Sequence, residues 1–98
     1  MGCLGCDRDP RKNIENQRKH GISFDDACCI FEDPCRIEEI DDGDYDEDRW
    51  VVVGRVGNPV LVVVYTDRNR IERIISARPT TRKEELEYYA HNAEHVLG

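Results

Sequence analysis

VLVVVYTDRNRIERIISAR, residues 60–78, is the stretch from which the architecture follows. Its first seven residues carry no charge and are mostly β-branched or aromatic; the polar run Asp67-Arg68-Asn69-Arg70 follows, and a second apolar run, from Ile71 to Ala77, ends at Arg78. Two β-prone runs around a short polar turn specify a hairpin. Val60 to Tyr65 is too evenly apolar for a strand with one wet face, which places it centrally in a sheet covered on both sides. The second run is less regular. Alternation sets Ile71, Arg73, Ile75 and Ala77 against Glu72, Ile74, Ser76 and Arg78, so neither face is clean unless a bulge intervenes. Arginines emerging from an apolar sheet are either solvent-facing heads on long stems or an anion site.

Downstream, Thr81 and Glu84 form a capping box, and Leu86, Tyr89, Ala90, Ala93 and Leu97 recur at helical spacing. A helix is expected there, packing this stripe on the sheet, with Tyr88 off the stripe. Upstream, 50–56 reads as a strand closed by the turn Gly57-Asn58-Pro59, and 35–40 as another, followed by an acidic loop at 41–48 around Gly43. Asp9-Pro10 caps and starts a helix over 11–20 that stops at Gly21. That helix is very polar, with Ile14 its only large aliphatic residue, so it belongs at the domain edge. Ser23 and Asp26 open a second helix of about two turns through Ala27, Cys28, Ile30 and Phe31, ended by Asp33-Pro34. Residues 1–7 read as a frayed terminus or a brief edge strand. The sum is an α+β fold: two short N-terminal helices, a three- to four-stranded antiparallel sheet and a C-terminal packing helix, in one domain spanning 1–98.

The net charge of −7 argues at first against a nucleic-acid partner. Its distribution weakens that argument, because eight of the 21 acidic residues fall within 38–48. Residues 8–20 hold five Lys or Arg against two acids, and 68–83 hold six against Glu72 alone. The chain is acidic by one loop. No apolar run approaches the roughly 20 residues that span a bilayer, and no charged-then-apolar leader opens the sequence, so a cytoplasmic protein without a membrane partner is expected. Five cysteines, Cys3, Cys6, Cys28, Cys29 and Cys35, make an odd number and point to free thiols in a reducing compartment. Cys3 and Cys6 have zinc-ligand spacing, but adjacent Cys28 and Cys29 on a helix point apart, so buried or incidental thiols are favoured over a zinc site. No cofactor or metal is expected.

Asp9-Pro10, then residues 16–24 read as NQRKHGISF, then Phe31-Glu32-Asp33-Pro34, and finally Tyr65-Thr66 with Arg68, the run Arg73-Ile74-Ile75-Ser76-Ala77-Arg78 and Thr81-Arg82-Lys83-Glu84 come in a fixed order. This ordered set, covering about 6–89, resembles the BrnT toxins of bacterial type II toxin–antitoxin systems. The resemblance implies a RelE-like ribonuclease fold and an endoribonuclease that cuts messenger RNA and inhibits translation. It also implies a partner antitoxin of the ribbon-helix-helix type (BrnA-like), which brings the complex to DNA only indirectly.

Such cleavage is feasible without metal, because RNA carries its own nucleophile in the 2′-hydroxyl. Arg78 is the expected phosphate clamp, since a guanidinium can engage two phosphate oxygens and this residue ends a rigid strand. Arg68 in the hairpin turn is a second contact. Lys19 and His20 approach from the first helix end, His20 as proton shuttle, and Arg73, Arg70 and Lys83 complete the substrate surface. No general base is evident: Glu72 and Glu84 read more readily as salt bridges, while by analogy with RelE-like folds Tyr88 or Tyr89 would serve at the open face. The alternative reading is a catalytically inert RelE-like module that keeps the partner and has lost the nuclease action.

Overall fold

The computed structural model describes residues 6–41, 43 and 48–97, with the side chains of Arg68 and of 94–97 left out of the description. Five strands form one mixed sheet in the order β1-β5-β4-β3-β2. Their bounds are β1 Cys6–Arg8, β2 Ile37–Asp41, β3 Arg49–Arg55, β4 Val60–Arg68 and β5 Ile71–Pro79. The helices are α1 Pro10–His20, α2 Phe24–Cys28 and α3 Arg82–Leu97, with a 3₁₀ turn at Cys29–Glu32 directly after α2.

The hairpin is present as expected, with β4 in the middle of the sheet. Asn69 and Arg70 form its two-residue turn at φ 53° and 68°, a left-handed pair that matches the twist of the flanking strands. The irregular second run is resolved by a bulge: Val64 pairs with Ser76 and Tyr65 with Ile74, leaving Ile75 unpaired. One extra residue therefore brings Ile74 and Ala77 to the same face, and both are fully buried.

That face carries the core. Phe24, Ala27 and Ile30 from α2 and the 3₁₀ turn meet Val52, Val63, Ile74 and Ala77 of the sheet, all at 0% exposure. Side chains the size of Phe24 and Ile30 contribute about 2–3 kcal/mol each by leaving water. Phe31 stands edge-on to Tyr65 with ring centroids 4.9 Å apart. Gly54 allows the close approach of the 3₁₀ turn to β3, since a Cβ there would lie 2.7 Å from Ile30 Cγ1.

Three expectations are corrected. The sheet has five strands rather than three or four, because Cys6–Arg8 forms an edge strand parallel to β5, pairing with Glu72, Arg73 and Ile74. Three residues paired across more than sixty positions leave no local pattern. The thiol expectation fails for three cysteines: Cys6 on β1 and Cys28 on α2, with Cα atoms 6.0 Å apart, form a disulfide, and Cys29 is disulfide-bonded as well. This removes Cys6, Cys28 and Cys29 from any zinc site and removes the thiol argument for a reducing compartment. Cys35 is a free, exposed thiol, while Cys3 lies outside the described residues. The helix stripe is corrected too. On α3, Leu86 (57%) and Tyr89 (42%) are exposed and Tyr88 (4%) is the buried residue; Ala90 and Ala93 are also exposed. Most of the acidic loop, Asp42 and 44–47, lies outside the described residues. No helix among the described residues is long and apolar enough to cross a membrane.

Candidate functional site

Helix α1 docks without an apolar face. Its inward stripe is Asn13, Asn16 and His20, spaced i, i+3 and i+7, with Gln17 exposed beside it, while Ile14 is 53% exposed. Hydrogen bonds hold the helix instead. Asn13 Oδ1 accepts from the Phe24 amide at 2.8 Å and from Gln17 Nε2 at 3.0 Å. Asn16, only 7% exposed, donates to the carbonyls of Ile22 (2.9 Å) and Ala77 (2.8 Å) and accepts from the Ala77 amide (3.1 Å). Strand β1 ends its pairing with β5 at Ile74, so the Asn16 amide continues the strand edge where β1 has stopped.

This fixes the direction of α1. The guanidinium of Arg73 is 4.0 Å from Asp9, the N-cap, and Asn16 lies at Ala77, so the helix advances along β5 toward its C-terminal end. His20 follows one turn beyond Asn16, about 6 Å further on. The last turn carries Arg18, Lys19 and His20 and is closed by Gly21 at φ 72°, whose amide donates to the Gln17 carbonyl. Lys19 is exposed and His20 half-buried.

Arg78 stands at that same end of β5, half-buried on the opposite side of the strand from Ala77. Its Nη1 and Nη2 donate to Glu84 Oε1 and Oε2, each at 2.8 Å, and Nη1 also donates to the Pro79 carbonyl at 3.1 Å. Glu84 doubles as the capping-box residue, accepting from the Thr81 amide at 2.8 Å. Pairing with Glu84 raises the pKa of the Arg78 guanidinium further. The bonds from Arg78, outweighing burial and helped by Thr81, hold the Glu84 carboxyl down at about 2. Glu84 is thus engaged both as the ion-pair partner of Arg78 and as a helix cap. Lys83 is exposed in the first turn of α3, beside it.

The remaining candidates lie elsewhere. Arg70 is exposed in the hairpin turn at the opposite end of β5, roughly 25 Å from Arg78 at about 3.3 Å per residue. The Arg68 side chain lies outside the described residues, and its backbone is at the Arg70 end. Arg73 is drawn to Asp7 at 3.7 Å and to Asp9, stitching β1 and the start of α1 to β5. Arg78 and Lys83 thus lie together at the C-terminal end of β5, toward which the last turn of α1 with Lys19 and His20 advances, while Arg70, Arg73 and the backbone of Arg68 lie toward the other end.

Tyr88 is corrected as an open-face group. Its hydroxyl donates to Asp33 Oδ2 at 2.6 Å, and burial together with that bond pushes its pKa far up. Asp33 is a junction that the sequence marked only as a helix end. It also accepts from the amides of Arg55 at 2.8 Å and Cys35 at 2.9 Å, tying β3, the turn before β2 and α3 together. Burial raises its carboxyl, but these bonds and nearby Arg36 outweigh it and the pKa ends below its ordinary value.

A pH dependence follows. Asp33 and Glu84 both have lowered folded-state values, so their stabilisation is present above the ordinary carboxylate range and is lost as pH falls through the folded values, which for Glu84 is about 2. The melting temperature should decline through that window. Asp33→Asn and Glu84→Gln should each remove part of the decline, Glu84→Gln by no more than about 1 kcal/mol because its ion pair is partly exposed. Thermal melts at stepped pH check this.

The signal for these anchors was present as residue type: amides on a helix stripe where aliphatics are usual. Against this geometry, residues 9–84 match the family model described as "Ribonuclease toxin, BrnT, of type II toxin-antitoxin system". No curated protein matches the chain.

Proposed function

The chain belongs to the BrnT family of ribonuclease toxins of type II toxin–antitoxin systems, and from that premise we propose that it is a RelE-like endoribonuclease cutting messenger RNA at the C-terminal end of β5. The observation that carries this is Arg78, fixed at the end of a strand whose edge Asn16 pins to α1, with the cationic last turn of α1 advancing toward the same end. In this reading Arg78 and Lys83 hold the scissile phosphate and Lys19 screens the flanking one. The 2′-oxygen attacks phosphorus, the O2′–P bond forms as the P–O5′ bond breaks, and the proton of the 2′-hydroxyl passes to water. The His20 imidazolium supplies the proton to O5′. The products are a 2′,3′-cyclic phosphate and a 5′-hydroxyl, with charge stabilised by fixed guanidinium and ammonium groups rather than by metal. Arg68, Arg70 and Arg73 serve the RNA strand away from the scissile phosphate.

The family implies an antitoxin partner and an RNA substrate. A ribbon-helix-helix antitoxin (BrnA-like) that reaches DNA on the complex's behalf completes this proposal, in the cytoplasm where messenger is translated. Purified protein incubated with messenger RNA in excess chelator tests the chemistry: cleavage with 5′-hydroxyl ends is expected. Ends bearing 5′-phosphate, or cleavage abolished by the chelator, would sink the metal-independent route.

A second reading is favoured by one specific observation. Both forks of Arg78 are taken by Glu84, as they would be in a catalytically inert RelE-like partner-binding module. Folded protein that cleaves no RNA and arrests no growth would establish it.

A further inference from the structure

Between α3 and the outer strands β2 and β3 lies a cleft of about 340 Å³, with Ile37, Val51 and Val53 on the sheet side, Glu39 beside them, and Glu84 and Glu87 on the helix. We infer that this cleft docks a cationic amphipathic segment of the protein antitoxin, with an apolar anchor residue on the three aliphatic side chains and a lysine or arginine between Glu39 and Glu87. That the partner is an antitoxin rests on the toxin reading above; the groove and its chemistry rest on the residues.

Ile37 pairs with Val53, and Glu39 with Val51, so these side chains share one face of the sheet, the face opposite the core. Ile37, Val51 and Val53 are only half-buried there, because α3 covers this face shallowly and Tyr88 is its buried residue. Half-covered aliphatic side chains favour an apolar anchor that completes their burial. The walls restrict what can bring it. Glu39 and Glu87 are exposed and make no ion pair among the described residues. Carboxylates repel RNA phosphates directly, and a second copy of this chain, at net charge −7, is repelled as a whole even though parts of it are basic. A cationic segment satisfies floor and walls together. Glu84 lines this cleft and also holds Arg78, so an occupant borders the proposed phosphate clamp. Docking there would cover the clamp without imitating RNA.

The test uses the whole chain, amide NMR spectra and two short synthetic amphipathic peptides, one of leucine and lysine and one of leucine and glutamate. Titrated to millimolar, the Leu/Lys peptide should shift the amides of Val51, Val53 and Tyr88, and the Leu/Glu peptide should not. The double variant Glu39→Lys, Glu87→Lys changes two exposed positions and should weaken the Leu/Lys peptide about tenfold or more. Unmoved cleft amides, equal effects of the two peptides, or unchanged affinity in the double variant would each overturn the groove. The readout is independent of nuclease action: protein that cleaves RNA but leaves the cleft silent overturns the groove alone, and protein that binds the peptide but never cleaves overturns the nuclease reading alone.

Discussion

Replacing Asn16 by alanine is expected to destabilise the fold by about 3 kcal/mol. The side chain meets three backbone groups, the Ile22 carbonyl and both the carbonyl and the amide of Ala77. Losing it strands them where Ala77 is fully buried, and each unsatisfied buried group costs about 1–3 kcal/mol, less where water can enter. A small domain has only about 5–15 kcal/mol in total. Asn16→Leu should be no better, because added apolar area does not satisfy those groups. Asn16→Asp is the sharper control. It keeps an acceptor for the Ala77 amide but turns carboxylate oxygen toward two carbonyls, so it should be destabilising at neutral pH and partly recovered in mild acid, where the carboxyl can donate. Urea titration gives the answer as a lowered midpoint at unchanged slope. A loss under about 0.5 kcal/mol would mean that Asn16 does not carry the strand edge.

Arg78→Ala should lower RNA cleavage by about 10²–10³-fold while the protein stays folded. The partly exposed ion pair with Glu84 contributes no more than about 1 kcal/mol to stability, and Glu84 retains its bond from the Thr81 amide. Arg78→Lys keeps a charge but loses the fork, and should recover only part of the activity. Arg70→Ala, at the far end of β5, should change the rate by no more than about threefold, because a mobile surface cation supplies only weak, screened attraction. Growth after induced expression, read beside circular dichroism of each variant, checks the series. Equal arrest by wild type and Arg78→Ala would move the site away from this strand end.

The sequence was informative wherever neighbours in the chain become neighbours in space. The β4–β5 hairpin, the need for a bulge and the cap at Asp9-Pro10 could all be read locally, since composition and alternation determine them. Strand β1 could be named only as one of two options, because its partner lies more than sixty residues away and its three residues have no period. The face of α3 was misread for a different reason. Apolar spacing marks the buried stripe only if apolar burial docks the helix, and here Tyr88 on Asp33 and Asn92 on the Cys35 carbonyl do so. The candidate site shows the same division. Arg78 was legible as an arginine ending an apolar strand, whereas its capture by Glu84 depends on how the chain turns after Pro79. The direction in which α1 carries Lys19 and His20 depends on its docking to β5 through Asn16.

The parallel pairing of β1 with β5, and the Asn16–Ala77 bonds spanning 61 residues, set an order of events during translation. Residues 6–20 leave the ribosome early and then have no edge to join until 71–79 have followed them. Contacts of such long range close late, after the local helices and the β3–β4 hairpin have formed. The strand that carries Arg78 is therefore pinned only after residues 71–79 have been made. Until then the proposed phosphate clamp has no fixed place in the nascent chain.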